Sequence, residues 1–277
     1  MKLYKYQGAG NDFLIADNRD GRLQLSQEQV AALCDRRYGI GADGLMLLEN
    51  SGNHDFRMVY YNSDGSGGMM CGNGGRCIVA FAADKGIKKY DFEAADGFHT
   101  AEILSAEGYV KIVRLKMKDV DSTVAYDCLN GVDVPSEGYF LDTGTRHYVR
   151  FVENLDAYDV VSEGRAIRYG AVELQPVGAN VNFVEPCDGM LKVRTYEKGV
   201  EDETYACGTG IVASCLASAK RGLRPTSVDV AGRWRYDVKA KRDDLSVDFI
   251  PAGDILAEDI WLTGPATFVA EIDVNID

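Results

Sequence analysis

Two cysteines in this 277-residue chain stand in settings that would make a thiol reactive. The first opens Cys71-Gly72-Asn73-Gly74-Gly75-Arg76-Cys77 and is followed by the small, apolar run Ile78 to Ala83. The second opens Cys207-Gly208-Thr209-Gly210 and leads into Ile211-Val212-Ala213-Ser214-Cys215-Leu216-Ala217. Both patterns predict a thiol at the N-terminus of a helix. Backbone N–H groups there lack intrahelical partners and the macrodipole is positive, so thiolate is favoured. The glycines let an anion approach the backbone closely. Each turn therefore offers a thiol or thiolate beside an anion cradle. Two such turns suit inversion of a stereocentre by proton transfer, which needs a base on one face of a carbon and an acid on the other. A substrate carboxylate held between the helix ends would be stabilised as the Cα–H is removed. Neither pyridoxal nor a metal is required. Two other readings use the same residues: a Cys71–Cys207 disulfide, or a redox pair, which the lack of CxxC spacing disfavours.

The elements that carry these turns repeat. The offset that places Cys71 on Cys207 also places Tyr60 on Tyr196, Tyr61 on Glu197, Asn62 on Lys198, Gly74 on Gly210, Ala83 on Ala219 and Gly86 on Gly222, and it extends to Phe92 on Val228. A strand, a loop, the cysteine turn, a helix and a closing glycine recur in order. This predicts an internal duplication. Neither helix has the polar face of an ordinary surface helix, so each should be buried on most sides. Strand-like segments flank them: Leu3–Tyr6, Phe13–Ala16, Leu45–Leu48, Phe56–Tyr60, Tyr90–Phe92 and Tyr109–Leu115, then Lys192–Tyr196, Val228–Val230 and Leu245–Ile250. Ser26–Arg36 reads as a helix capped by Ser26. The expected fold is α/β (α+β): two pseudo-symmetric domains, each a curved, mostly antiparallel sheet wrapped around a central helix. The boundaries read as 1–118 plus 265–277 for the half with Cys71 and 119–264 for the half with Cys207, with the active site between them. Asp119–Tyr126 reads as a linker, and Thr267–Ile276 alternates like a strand.

Composition narrows the partners. Hydrophobic residues make up 46% and charged residues 26%, both globular values. The net charge of −13 argues against nucleic acid or an anionic membrane. No apolar run approaches a membrane span, and the opening MKLYKYQGAGNDF has no signal-peptide h-region, so a cytoplasmic protein acting on a small molecule is expected. Seven cysteines are too few and too scattered for a disulfide scaffold or a zinc site. Cys77 and Cys215 should be core, and only Cys71 and Cys207 have glycine neighbours that would expose them. The three histidines, at 54, 99 and 147, are too dispersed to hold a metal. Gly8-Ala9-Gly10-Asn11-Asp12-Phe13 hints at a dinucleotide turn, but a strand follows where a helix is required. A turn that places Asn11 at a ligand is the sharper reading.

Taken together, Gly8–Phe13, Gly39-Ile40-Gly41-Ala42-Asp43, Asn62-Ser63-Asp64-Gly65-Ser66, Met70–Cys77, Asn180-Val181-Asn182-Phe183, Tyr196-Glu197-Lys198-Gly199 and Ala206–Gly210 resemble the diaminopimelate epimerase family. The resemblance runs along nearly the whole chain. It implies a cofactor-independent epimerase acting on L,L- and meso-diaminopimelate, on the route to lysine and peptidoglycan, usually as a homodimer. It implies that Cys71 and Cys207 are the acid/base pair, and that Gly72, Asn73, Gly208 and Thr209 cradle the reacting carboxylate. Asn11, Asn62, Asn180, Glu197 and Lys198 would hold the far end of the substrate. His147 and Glu197 match positions that tune the cysteines. Four stretches depart from the family pattern. Lys198 replaces a usual arginine, which loses a bidentate fork. Thr145 and Arg146 replace an asparagine and a proline. Gly44 stands where some members carry a glutamine. Met69 stands where an acidic residue is common. These flank the catalytic pair or fall at far-end positions, so a racemase of a different amino acid is the alternative, and a thiol redox or anion-binding protein is a second.

Overall fold

A computed structural model describes residues 1–253 and 256–275, and the chain divides into two compact units. The first comprises Met1–Lys116 with the chain from Gly264 onward, and the second comprises Met117–Thr263.

The first unit runs β1 (Lys2–Gly8), β2 (Asn11–Asp17), α1 (Gln27–Cys34), β3 (Gly44–Glu49), β4 (Phe56–Asn62), α2 (Gly72–Asp84), β5 (Tyr90–Ala94), β6 (Gly97–Glu107) and β7 (Val110–Lys116). Helix α1 begins at Ser26 with a reciprocal capping box to Gln29. Its Val30 and Leu33 pack on Leu14, Ala16, Leu45 and Leu47. The alternate residues of those strands turn the other way: Phe13 and Met46 lie near the first turn of α2. Strands covered on both faces read as continuous apolar runs, which is why Leu45–Leu48 carries no alternation.

The second unit runs β8 (Val124–Tyr126), β9 (Gly138–Asp142), β10 (Arg146–Phe151), α3 (Val160–Gly170), β11 (Asn180–Cys187), β12 (Met190–Glu197), β13 (Asp202–Thr204), α4 (Gly208–Lys220), β14 (Ser227–Val228), β15 (Trp234–Lys239) and β16 (Asp244–Pro251). The strand β17 (Ala257–Asp273) follows; it pairs with β16 before the division and with β1 and β7 after it. Ile276, the end of the predicted tail strand, lies outside the described residues.

The duplication is visible in the pairing. In the first unit β1–β2 is antiparallel, β2–β3 parallel, β3–β4 antiparallel, β4–β5 parallel and β5–β6 antiparallel. In the second unit β9–β10, β10–β11, β11–β12, β12–β15 and β15–β16 follow the same sequence of directions. A helix, α1 or α3, makes the first parallel crossover in each. Helix α2 packs against β1, β2, β3, β6 and β7, and α4 against β9, β10, β11, β12 and β16. Each is therefore a central helix surrounded by strands, as expected.

Burial on that scale needs special handling of polar groups. In α4 the Ser214 hydroxyl donates to the Gly210 carbonyl at 2.7 Å and Ser218 to Ser214 at 2.8 Å, so both buried hydroxyls are satisfied within the helix. Both helices end in the same way. Gly86 and Gly222 take positive φ, with Ile87 N–H donating to Ala82 and Leu223 N–H to Ser218.

Three expectations are corrected. The offset fails at both ends of its range: Phe92 pairs with Phe56 as Val238 pairs with Leu191, so Phe92 corresponds to Val238, not Val228. On the same register Tyr60, Tyr61 and Asn62 correspond to Thr195, Tyr196 and Glu197, one residue short of the expected partners, and the β14 hairpin is inserted ahead of β15. Asp119–Tyr126 is not a free linker, because Val120 bridges Ala257 and Val124–Tyr126 pairs with β9. Helix α3 and strands β6, β9, β10, β11, β13 and β15 add to the elements read from sequence; α3 is capped by Asp159, whose side chain accepts from Ser162 N–H at 3.0 Å. Among the described residues no helix is long and apolar enough to cross a membrane.

Strand β1 and helix α2 touch closely at Gly8, where a methyl group would lie 2.9 Å from the Asn73 carbonyl oxygen and 3.1 Å from Cys77 Sγ. Gly8→Ala should therefore push the start of α2 off the sheet and destabilise the fold by about 1–3 kcal/mol. A thermal melt measures this; an unchanged midpoint would mean that the helix yields without cost.

Candidate active site

Both cysteines are helix N-caps with extended backbone, Cys71 for α2 and Cys207 for α4. Their surroundings differ. Cys71 is exposed and its Sγ accepts from Gly74 N–H at 3.3 Å, the role a Ser or Thr oxygen usually plays. Cys207 is 8% exposed, and its Sγ lies 3.5 Å from Thr209 Oγ1. The expectation that flanking glycines expose both thiols is thus corrected: Cys207 is buried, while Cys128, in an irregular stretch, is exposed. Cys77 and Cys215 lie inside the helices with no exposure, and burial raises both pKa values, so neither competes as a thiolate.

In the first unit Asn73 is tied to Asn11, its Nδ2 donating to Asn11 Oδ1 at 2.6 Å. Asn11 Nδ2 donates in turn to Asp43 at 2.9 Å. Arg36 spans Asp43 and Asp12, each at 2.6 Å, and Lys5 pairs with Asp12 at 2.8 Å. These cations hold the Asp12 carboxyl below its usual range against the opposing effect of burial. On the inner side Arg76 is fully buried. It donates to Asn73 Oδ1 at 2.7 Å, to the Gly72 carbonyl at 3.3 Å and to the Pro265 carbonyl at 3.4 Å. A buried guanidinium needs such partners, and here they fix the first turn of α2. Sequence reading missed Arg76, Asp43 and Arg36 as supports, although Gly39–Asp43 was marked as a motif.

Phe13, Gly44 and Asn62 lie side by side across β2, β3 and β4. Asn62 Nδ2 donates to Ser66 Oγ at 3.0 Å, closing the turn that precedes Cys71. A side chain at Gly44 would begin 2.5 Å from the Tyr60 ring, so Tyr60 occupies the room that a glutamine there would need. Burial raises the Tyr60 pKa, with Cys71 the next cause, which puts the phenol within electrostatic reach of that thiol in its neutral form.

In the second unit Asn180 and Asn182 share one face of β11, opposite the Val181 and Phe183 that pack in the core around α3. Asn180 Nδ2 donates to the Arg146 carbonyl at 3.2 Å and Oδ1 accepts from Lys198 N–H at 2.8 Å. Asn180 is thus a brace between β10 and the end of β12. Lys198 is exposed just beyond that strand, and Glu197 is half-buried at its last position. Thr209 is held by its backbone, whose carbonyl accepts from Thr143 Oγ1 at 3.0 Å. His147 is fully buried; its Nε2 lies 2.9 Å from Thr145 Oγ1 and 2.9 Å from Thr209 Oγ1, and its Nδ1 lies 3.1 Å from Asn182 Nδ2. Asn182 also donates to the Tyr148 carbonyl and accepts from Thr195. A methyl at Gly210 would lie 2.3 Å from Asn182 Oδ1, so α4 can meet this network only through glycine. Asn182 and Thr195 were missed as site residues. The alternation Asn180-Val181-Asn182 is the signal that could have found the first.

The structure thus gathers Cys71, Gly72, Asn73, Asn11 and Asn62 around one end of the first unit. It gathers Cys207, Gly208, Thr209 and His147 in the second, with Asn180, Glu197 and Lys198 at the β11–β12 end. Comparison with known proteins gives the class first. The fold is that of a solved Bacillus anthracis phenazine biosynthesis protein of the PhzF family, at a TM-score of 0.71 and 16% identity, covering 100% of this chain and 99% of that one. The family follows from sequence. The model for diaminopimelate epimerase matches residues 3–120 and 139–247. A diaminopimelate epimerase of Flavobacterium psychrophilum is 44% identical over 99% of this chain and 100% of its own length. One from Chlorobaculum tepidum is 45% identical over 95% and 96%. The chain belongs to the diaminopimelate epimerase family.

His147 gives the site a pH signature. Burial favours the neutral imidazole and lowers its pKa from 6.5 to about 3. Below about pH 6.5 the unfolded chain takes up a proton that the folded chain refuses, so this group's contribution is complete above that pH and is lost as pH falls toward 3. Replacing it with a side chain that does not titrate should flatten the pH dependence. Between about pH 6.5 and about pH 5, urea denaturation of His147→Gln should show ~1–2 kcal/mol less loss than the unmodified protein. Parallel losses would contradict the assignment.

Proposed function

We propose that this chain interconverts L,L- and meso-diaminopimelate without a cofactor, in the supply of lysine and peptidoglycan precursors, through a two-base mechanism. The observation that carries the reading is the second capping cysteine, placed as the first is on a duplicated unit, in a chain of this family. One sulfur, as thiolate, removes the Cα proton; the other, as thiol, delivers a proton to the opposite face. A cycle therefore leaves the two cysteines with exchanged protonation states. The first turns of α2 and α4, at Gly72-Asn73 and Gly208-Thr209, offer N–H dipoles to the carboxylate of the reacting centre, where negative charge grows as the proton leaves. Asn11, Asn62, Asn180, Glu197 and Lys198 hold the far amino-acid end. Lys198 in place of arginine meets a carboxylate as a point charge with no fixed fork. The resemblance extends the proposal to a cytoplasmic homodimer.

Turnover in deuterated buffer should place deuterium at Cα with no added cofactor. Cys71→Ala and Cys207→Ala should each reduce epimerisation at least ~1,000-fold, because one sulfur cannot serve both faces. Chiral chromatography over a panel of amino acids checks the substrate: activity confined to another amino acid would replace diaminopimelate, and full turnover by either mutant would refute the two-base step.

A further inference from the structure

The three polar atoms Thr145 Oγ1, His147 Nε2 and Thr209 Oγ1 form a triangle, with sides of 2.9 Å, 2.9 Å and 3.1 Å. One corner, Thr209 Oγ1, lies 3.5 Å from Cys207 Sγ. What matters chemically is the direction in which the hydrogens run, and the surrounding network determines it. The Tyr148 carbonyl can only accept, so the amide nitrogen of Asn182 faces it, at 3.1 Å. The same nitrogen faces His147 Nδ1 at 3.1 Å, while Asn182 Oδ1 accepts from Thr195 Oγ1 at 2.9 Å. Asn182 therefore donates to His147 Nδ1, which must present a lone pair, and the imidazole proton sits on Nε2. That N–H donates into the triangle. Thr209 can then receive a hydrogen bond from His147 directly, or through Thr145, and still have its own hydrogen to give. A negative sulfur beside it selects the orientation in which that hydrogen points at Cys207.

We propose that Thr209 is a positioning residue for the epimerisation: its hydroxyl, oriented by His147 and braced by Thr145, donates to Cys207 whenever that sulfur is thiolate. The proposal rests on the reading of Cys207 as an acid/base group. When Cys207 takes the Cα proton, the Thr209 hydrogen turns toward Thr145 and the bond to sulfur is given up. His147 keeps its single proton throughout, so it orients the network and does not act as the base. On this account Thr145, which departs from the family's usual asparagine, serves the second cysteine, because it is the other hydroxyl of the triangle.

The test needs no substrate. The full chain is treated with iodoacetamide for a limited time near neutral pH, and the peptides containing Cys207 and Cys71 are quantified by mass spectrometry. Alkylation follows the thiolate, so Thr209→Val should slow labelling of Cys207 about tenfold while Cys71 keeps its rate. Thr209→Ser, which retains the hydroxyl, should restore labelling, and Thr145→Val should lower it by a smaller factor. If Thr209→Val does not fold, as judged by circular dichroism, Thr209→Ala and Thr209→Ser make the same comparison. Unchanged Cys207 labelling in the hydroxyl-free variant, or an equal fall in the serine variant, would overturn the proposal. Failure of the acid/base reading is separable, since it appears as turnover by Cys207→Ala whatever the labelling shows.

Discussion

A thiol at the first position of a buried helix is the arrangement from which the rest of this structure follows. Helices α2 and α4 each lie against five strands, and each starts on a cysteine. A helix wrapped in this way cannot carry an ordinary polar face. Its own hydroxyls must bond back to the backbone, as Ser214 and Ser218 do, and its one long cation must find carbonyls, as Arg76 does. Close wrapping also dictates glycine at the contacts. Gly8 faces the start of α2 and Gly210 faces Asn182, and in both places a methyl group would meet fixed polar atoms. Part of the glycine-rich character of these segments thus comes from the close approach of helix and supporting sheet.

The two copies have diverged in how the cap is supported. At Cys71 the sulfur takes the Gly74 N–H, and the neighbouring Asn73 is held by an amide and ion-pair network reaching through Asn11 to Asp43, Arg36 and Asp12. At Cys207 the Thr209 hydroxyl lies 3.5 Å from the sulfur, and behind it stands a buried histidine in contact with hydroxyls and an amide. One thiol therefore stands beside an amide and ion-pair network, the other beside two hydroxyls, an amide and a buried imidazole. A two-base reaction needs thiols that exchange roles, not thiols in identical settings. Different supports on a common frame are compatible with that.

The sites on the far side of the motifs are occupied differently from a simple picture of ligand donors. Asn180 uses its amide to join the Arg146 carbonyl to Lys198 N–H, bracing β10 against the end of β12. Tyr60 fills the space beside Gly44 and lies within electrostatic reach of Cys71. The departures at positions 44 and 145 are each matched by a structural partner, Tyr60 for one and Thr209 with His147 for the other.

Sequence alone determined the parts of this protein that depend on local order. The capping cysteines, the helix lengths, the closing Gly86 and Gly222, the Ser26 cap and the duplication were all legible, because capping, helical periodicity and turn chemistry act over a few residues. The correspondence slipped by one residue in β4 and β12 and failed at Phe92, since an inserted hairpin breaks the offset and only strand pairing reveals Thr195 and Val238 as the partners of Tyr60 and Phe92. Asp119–Tyr126 looked like a linker because edge pairing leaves little alternation to read. Tertiary structure alone decided that Cys207 is buried while Cys71 is exposed, that Arg76 points inward, and that Thr145, His147, Asn182, Thr195 and Thr209 form one network. The physical reason is range: a cap is written in adjacent residues, whereas the direction of a buried hydrogen bond depends on carbonyls and amides that the fold brings together from separate strands.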